Sequence, residues 1–226
     1  MLGFDSHFAV KMPGLRVTAL KVAVEKVEDR NVGLEELKIA VAEEVRSKYS
    51  LESVKDVKVF RFYRDFFWRL GIDPTKVRPA SEALIRRILQ GGSIPTINTA
   101  VDAINISSIQ TEIVVDAFDV AKISGEAKIR FASRGDRFLG IGMARELTMT
   151  GGEIVISDDL GPIAIYPHRD SVRTGVSLQT KAMLTVMCGV PGIGEEMLAD
   201  AAKVVSRMVT RFCEGMNIGQ SMSLPK

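Results

Sequence analysis

From residue 113 onward, short apolar runs punctuated by glycine and aspartate replace the helical spacing of the preceding residues. IVVDAF (113–118), GEAKIRFAS (125–133), RFLGIG (137–142), GEIVISDD (152–159), PIAIYPH (162–168) and KAMLTVMCG (181–189) each read as a strand, with turn formers between them. After residue 190 helical spacing returns once, in IGEEMLADAAKVVSRMVTRF, where Ile193, Met197, Ala201, Val204, Val205, Met208 and Phe212 form one apolar face. A βαβ wind would alternate the two periods throughout. This order instead predicts an α+β fold in a single domain, 1–226. It has a helical N-terminal half, a β-rich centre of mixed or antiparallel strands, and a long C-terminal helix.

The first half follows from local signals. LRVTALKVAVEK (15–26) is rich in Val and Leu and reads as a strand. GLEELKIAVAEEVRSK (33–48) places its apolar residues at helical spacing, with acids early and bases late, as the helix dipole favours. VKVFRFYRDFFWRLG (57–71) reads as a helix stopped by Gly71, with Pro74 beyond. Its aromatic residues form a core stripe at this spacing rather than a base-stacking platform. Ser81 is expected to cap EALIRRILQ, which ends at Gly91–Gly92, and Asn98 to cap NTAVDAINISSIQ.

Composition narrows the function. The chain is 46% hydrophobic and 26% charged, as in ordinary soluble proteins, and its net charge of +2 does not suggest coating of nucleic acid by bulk electrostatics. Bases outnumber acids between Lys55 and Arg87, which is read as the solvated faces of two helices. No apolar run reaches the ~18 residues a membrane helix needs, and no signal peptide is legible, so a cytoplasmic location is expected. Cys188 and Cys213 read as free buried thiols. Two histidines, His7 and His168, build no metal site alone, and no phosphate-binding glycine loop is present, so no metal or cofactor is expected. YPHRDSVRT (166–174) concentrates polar groups. Ser171, His168 and Asp170 do not form a triad there, because neighbours in extended chain point to opposite faces.

An ordered series of fragments carries more. IPTINTAVDAIN (94–105), DAFD (116–119), KISGEAKIRFA (122–132), EIVISDD (153–159) and TGVSLQT (174–180) occur in that order. Together they resemble the B3/B4 domain, the tRNA-binding and editing domain of the phenylalanyl-tRNA synthetase β-subunit. Ile97, Asn98, Val101, Asp102, Asn105, Ala117, Phe118 and Asp119 match its pattern without a gap. Arg130, Ala132, Ile154, Ile156, Asp158, Gly175, Val176 and Thr180 match further on. The resemblance covers about residues 60–190, leaving 1–59 as a strand–helix extension and 191–226 as a C-terminal helix and tail.

The resemblance implies a freestanding editing-type module, not a synthetase. It implies tRNA or aminoacyl-tRNA as partner and hydrolysis of a mischarged aminoacyl ester in trans as activity. The alternatives are a non-catalytic tRNA-binding module or a small-molecule-binding protein on the same pocket. Where the family has His before Ala-Phe-Asp this chain has Asp116, where it has Pro it has Val114, and where it commonly has Arg it has Pro95. The family's hydroxyl-reading acid falls on Val172 in an ungapped register and on Asp170 after a shift of two. Asp116 is therefore the expected catalytic group. Asp170 is the expected polar reader in the same cavity. Asn98, Asn105 and Thr174 are placed near its rim, with Arg169 or Arg173 for a phosphate or carboxylate and Ser171 or Thr174 as hydrogen-bond donors. Asn98 and Asn105 also admit structural roles, and Asp119 and Arg130 read as scaffold.

Overall fold

The computed structural model describes residues 2–223, the last three by backbone alone. In chain order it contains β1 (Gly3–Phe4), α1 (Ser6–Lys11), β2 (Arg16–Val24), α2 (Val32–Lys48), α3 (Lys58–Arg69), α4 (Ala80–Leu89) and α5 (Thr99–Thr111). There follow β3 (Val114–Asp119), β4 (Lys128–Phe131), β5 (Arg137–Phe138), β6 (Leu147–Thr148), β7 (Ile154–Asp158), β8 (Gly161–Ile165), β9 (Arg169–Asp170), β10 (Ala182–Gly189), α6 (Glu195–Cys213) and β11 (Gly215–Ser223). This is the α+β class expected from the order of periodicities.

Two sheets organise the site. One runs β11-β2-β10-β3 and is antiparallel throughout. The other runs β1-β4-β7-β8-β9, with β1 and β4 parallel and the remaining pairs antiparallel. A small hairpin, β5-β6, stands apart with its own apolar cluster of Ala132, Phe138, Met149 and Val155. Nearly every side chain of β10 is buried, because the strand lies between β2 and β3, α6 packs on its sheet and its apolar side chains join the main core. That is why β10 reads as a continuous apolar run rather than a clean alternation. No helix among the described residues is long and apolar enough to cross a membrane.

Several local expectations hold for the reasons given. Asn98 accepts from the Val101 N–H (2.9 Å) and starts α5. Phe60, Tyr63, Phe66 and Phe67 on α3 are core, while Trp68 is 57% exposed. The basic run is partly consumed internally. Glu82, fully buried, accepts from Arg64 at 3.1 Å and Arg86 at 2.7 Å.

Others need correction. Ser81 does not cap α4. The helix begins two residues earlier, behind Pro79, whose fixed φ suits a helix entry, and the Ser81 hydroxyl donates instead to the Glu112 carbonyl (2.8 Å). RFLGIG shortens to two strand residues, after which Gly140 bridges to Ser171. The tail GMNIGQSMS, without strand alternation, becomes β11 through backbone pairing with β2, bulging at Asn217–Gly219. The strand expected at 15–26 forms as β2 in the first sheet, whereas the short helix α1, capped by Asp5, is not signalled in the sequence.

Tyr63 ties α3 to the end of the first sheet. Its hydroxyl donates to the Cys188 carbonyl (2.5 Å) and accepts from the Val114 N–H (3.0 Å). Tyr63→Phe leaves two buried backbone groups unpaired. Thermal or denaturant unfolding should show a loss of about 1–3 kcal/mol. A loss near zero would mean that the neighbours re-pair.

Candidate functional site

β3 is an edge strand of its sheet, and the segment 169–174 lies along it. The Asp119 N–H donates to the Thr174 carbonyl (2.9 Å), and the Ala117 N–H donates to Asp170 Oδ2 (3.4 Å). This places the carboxyl of Asp170, from one sheet, against that of Asp116, from the other. Asp116 is 4% exposed, and its Oδ2 accepts from the Cys188 thiol at 3.2 Å. Tyr63 and Tyr166 complete the surroundings, the latter donating to the Gly189 carbonyl (2.7 Å). Tyr166 also lines an open cleft of about 310 Å³ with Leu70, Ile72, Gly151, Glu153 and Ile165.

Among the described residues, no cation pairs with either carboxyl. Arg169 is exposed and donates outward to the Ile141 carbonyl (2.9 Å). Arg173 is committed to Asp158, at 2.9 and 2.7 Å. Burial pushes His168 down to about 4, so it is neutral at physiological pH. Burial raises Asp116 to about 7, against a lowering pull from the Cys188 hydrogen bond. Burial, and then the charge of Asp116, hold Asp170 well above the usual carboxylate range. Near neutrality Asp170 therefore keeps its proton while Asp116 titrates, because burial disfavours a second negative charge beside the first.

Unsatisfied polar atoms gather in the same stretch. His168 Nδ1, Asp170 Oδ1 and Thr174 Oγ1 are buried without a hydrogen-bond partner among the described residues. The YPHRDSVRT segment is thus an inward-facing wall at these positions rather than a solvated turn. Its outer side is covered by residues 139–141. Ile141 N–H donates to the Asp170 carbonyl (2.9 Å) and Val172 N–H to the Leu139 carbonyl (3.0 Å).

The other expected residues separate from this pair. Asn98 is occupied as a helix cap, at the end of α5 that also carries the buried Lys38–Asp102 ion pair. Asn105 lies on the partly exposed stripe of α5 with Val101, and no hydrogen bond joins it to either carboxyl. Thr174 is fully buried beside Asp119, not at a rim. The Ser171 hydroxyl donates to the Leu139 carbonyl (3.3 Å), so Ser171 and His168 form no triad. Val172, at the family's acid position in the ungapped register, is 53% exposed. Asp119 and Arg130 do not pair with each other. Asp119 accepts from Thr180 at 2.8 Å, and Arg130 binds Asp136 at 2.8 Å. Sequence reasoning misses Cys188, Tyr63 and Tyr166 as site residues. Only the strand register, which the sequence does not print, brings Cys188 diagonally beside Asp116.

A family model described as the B3/4 domain matches residues 62–221, past the limit of 190 drawn from the fragments. The phenylalanine–tRNA ligase beta subunit of Nocardia farcinica is 36% identical over 114 residues, 50% of this chain and 13% of that protein. The corresponding subunit of Legionella pneumophila is 28% identical over 93 residues, 41% of this chain and 12% of that protein. The aligned stretches thus span about an eighth of the length of these curated relatives. Among solved structures, an N-terminal fragment of the phenylalanyl-tRNA synthetase beta-subunit from Pyrococcus horikoshii matches with a TM-score of 0.42 and 14% identity. That alignment covers 54% of this chain and 41% of the fragment.

Proposed function

Because the chain belongs to the B3/4 domain family, we propose that it binds the aminoacyl end of a charged tRNA and hydrolyses the ester of a mischarged one in trans. The observation that carries this reading is the Asp116–Asp170 pair, two carboxyls from different sheets with no cation paired to them among the described residues. A pair holding one proton supplies both halves of ester hydrolysis. The ionised carboxyl takes a proton from the attacking water, and the protonated one donates to the oxygen on which charge develops. An ordinary exposed aspartate is too weak a base for this step, and burial is what brings Asp116 into the useful range.

The pair is enclosed, so the reading requires residues 139–143 to lift from 169–172 or the cleft at Tyr166 to open inward. Release of amino acid from a panel of misacylated tRNAs tests it directly. Asp116→Asn should lower turnover by about 10²-fold or more, the usual contribution of a general acid or base. Full activity in that variant would remove Asp116 from the mechanism.

The enclosure and the small net charge favour a second reading, a small-molecule site on the same pair with no RNA role. Titration of bulk tRNA against salt separates the two. An RNA-binding chain loses affinity steeply as salt rises, whereas absence of binding even at low ionic strength leaves the small-molecule reading.

A further inference from the structure

We infer that Cys188 is the positioning residue of the carboxyl pair: its thiol proton holds Asp116 Oδ2 and leaves Oδ1 as the oxygen that exchanges a proton with Asp170 or water. The inference rests on the reading above, that this pair is the reactive centre.

The register supplies the geometry. Cys188 is opposite Val114 and Val186 is opposite Asp116 in the β10–β3 ladder. Positions two apart on a strand share a face, so the thiol and the carboxyl are diagonal neighbours. Cys188 Sγ lies 3.2 Å from Asp116 Oδ2 and 3.4 Å from the Val186 carbonyl. A thiol has one proton and can serve only one of these acceptors at a time.

The protonation state of Asp116 decides between them. An ionised carboxylate is the stronger acceptor and draws the S–H to Oδ2. A neutral carboxyl competes poorly, and the S–H turns to the backbone carbonyl. The thiol stays protonated through this exchange, since burial and then the charge of Asp116 hold it well above its usual range. It is therefore a donor and not a nucleophile. The other ionisable groups around Asp116 are Asp170 of β9, Tyr63 of α3 and Tyr166 just beyond β8. Both tyrosines are held neutral by burial, so against the effect of burial it is the Cys188 hydrogen bond that tunes the Asp116 carboxyl.

A cysteine is a weak donor, and this sets the expected direction of change. Cys188→Ser places a stronger donor on Oδ2, favours the ionised form and moves the titration of Asp116 to lower pH. Cys188→Ala removes the donor and moves it to higher pH, each by roughly one pH unit.

The experiment uses the whole chain and two readouts. Raman spectroscopy across pH follows the S–H stretch, assigned to Cys188 by its loss in Cys188→Ser, with Cys213 as an internal control. The Cys188 band should move to lower frequency as Asp116 ionises, and Asp116→Asn should abolish the movement. The acidic limb of kcat/KM for deacylation, which follows ionisation of Asp116 as the base, should move in opposite directions in Cys188→Ser and Cys188→Ala. A packing role alone would lower the melting temperature of both variants and leave the limb in place. A band that does not respond to pH overturns the inference, as does an unmoved limb. The Raman titration needs no turnover. If the chain deacylates nothing while the band still titrates with Asp116, the proposed activity fails but the thiol's placement of the proton stands.

Discussion

Asp116→Asn should make the protein more stable above pH 7 and leave its stability near pH 4 almost unchanged. Asp116 has an ordinary value of 3.8 and is raised to about 7 by burial. Between those values the folded chain holds a proton that the unfolded chain has released. Stability attached to this group is therefore complete below the unfolded value and is lost as pH rises through the folded one. The size of the loss is on the order of 4 kcal/mol, since each pH unit between the unfolded and folded values contributes about 1.4 kcal/mol. Asparagine has the same shape and no charge to bury. Its amide can also donate to Asp170 Oδ1, which has no hydrogen-bond partner among the described residues. Groups such as Asp158, whose value Arg173 helps to lower, act in the opposite direction at acid pH. The informative quantity is thus the difference between wild type and variant, measured by denaturant unfolding from pH 4 to 8. A variant less stable than wild type at pH 8 would show that Asp116 has a compensating partner. Combined with the expected loss of turnover, a gain in stability would mark Asp116 as a group whose position serves chemistry at the expense of folding.

Asp102→Ala should have the opposite effect and a comparable size. Asp102 is 1% exposed, accepts from Lys38 Nζ at 2.5 Å and from the Ile97 N–H at 2.9 Å. Lys38, itself 5% exposed, retains only Glu35 (2.7 Å) and Thr96 (3.0 Å) after the change. Breaking a buried pair from one side costs about 3–5 kcal/mol, and the half-exposed Glu35 carboxylate that still faces Lys38 keeps the loss toward the lower end of that range. Removing both charges, in Lys38→Met with Asp102→Leu, should restore much of that loss. If the double variant is no better than Asp102→Ala alone, the loss comes from the Ile97 N–H and not from the charge. The pair stands at the start of α5, whose far end leads directly into β3, so its loss should also disturb the approach of Asp116 to Asp170.

The class of fold and much of its wiring are already written in the order of residues. Periodicity is a local property, and a helix or strand with one covered face imposes it on neighbouring residues. That is why α2, α3, α5, α6 and the strands of the centre are legible, and why Asn98 is legible as a cap. The fragment order around Asp102 and Asp116 marks the family. Long-range contacts settle what no neighbour encodes. Pairing with β2 makes a strand of GMNIGQSMS, and a distant carbonyl takes the Ser81 hydroxyl away from capping. The meeting of Asp116 with Asp170 is expected from the family resemblance, not from any local pattern. The third member, Cys188, comes from a register that slides every side chain to the other face when shifted by one residue. The raised pKa of Asp116 has the same origin. It reflects how much water the fold removes from around a carboxyl, against the lowering pull of a thiol 72 residues away in sequence, at Cys188.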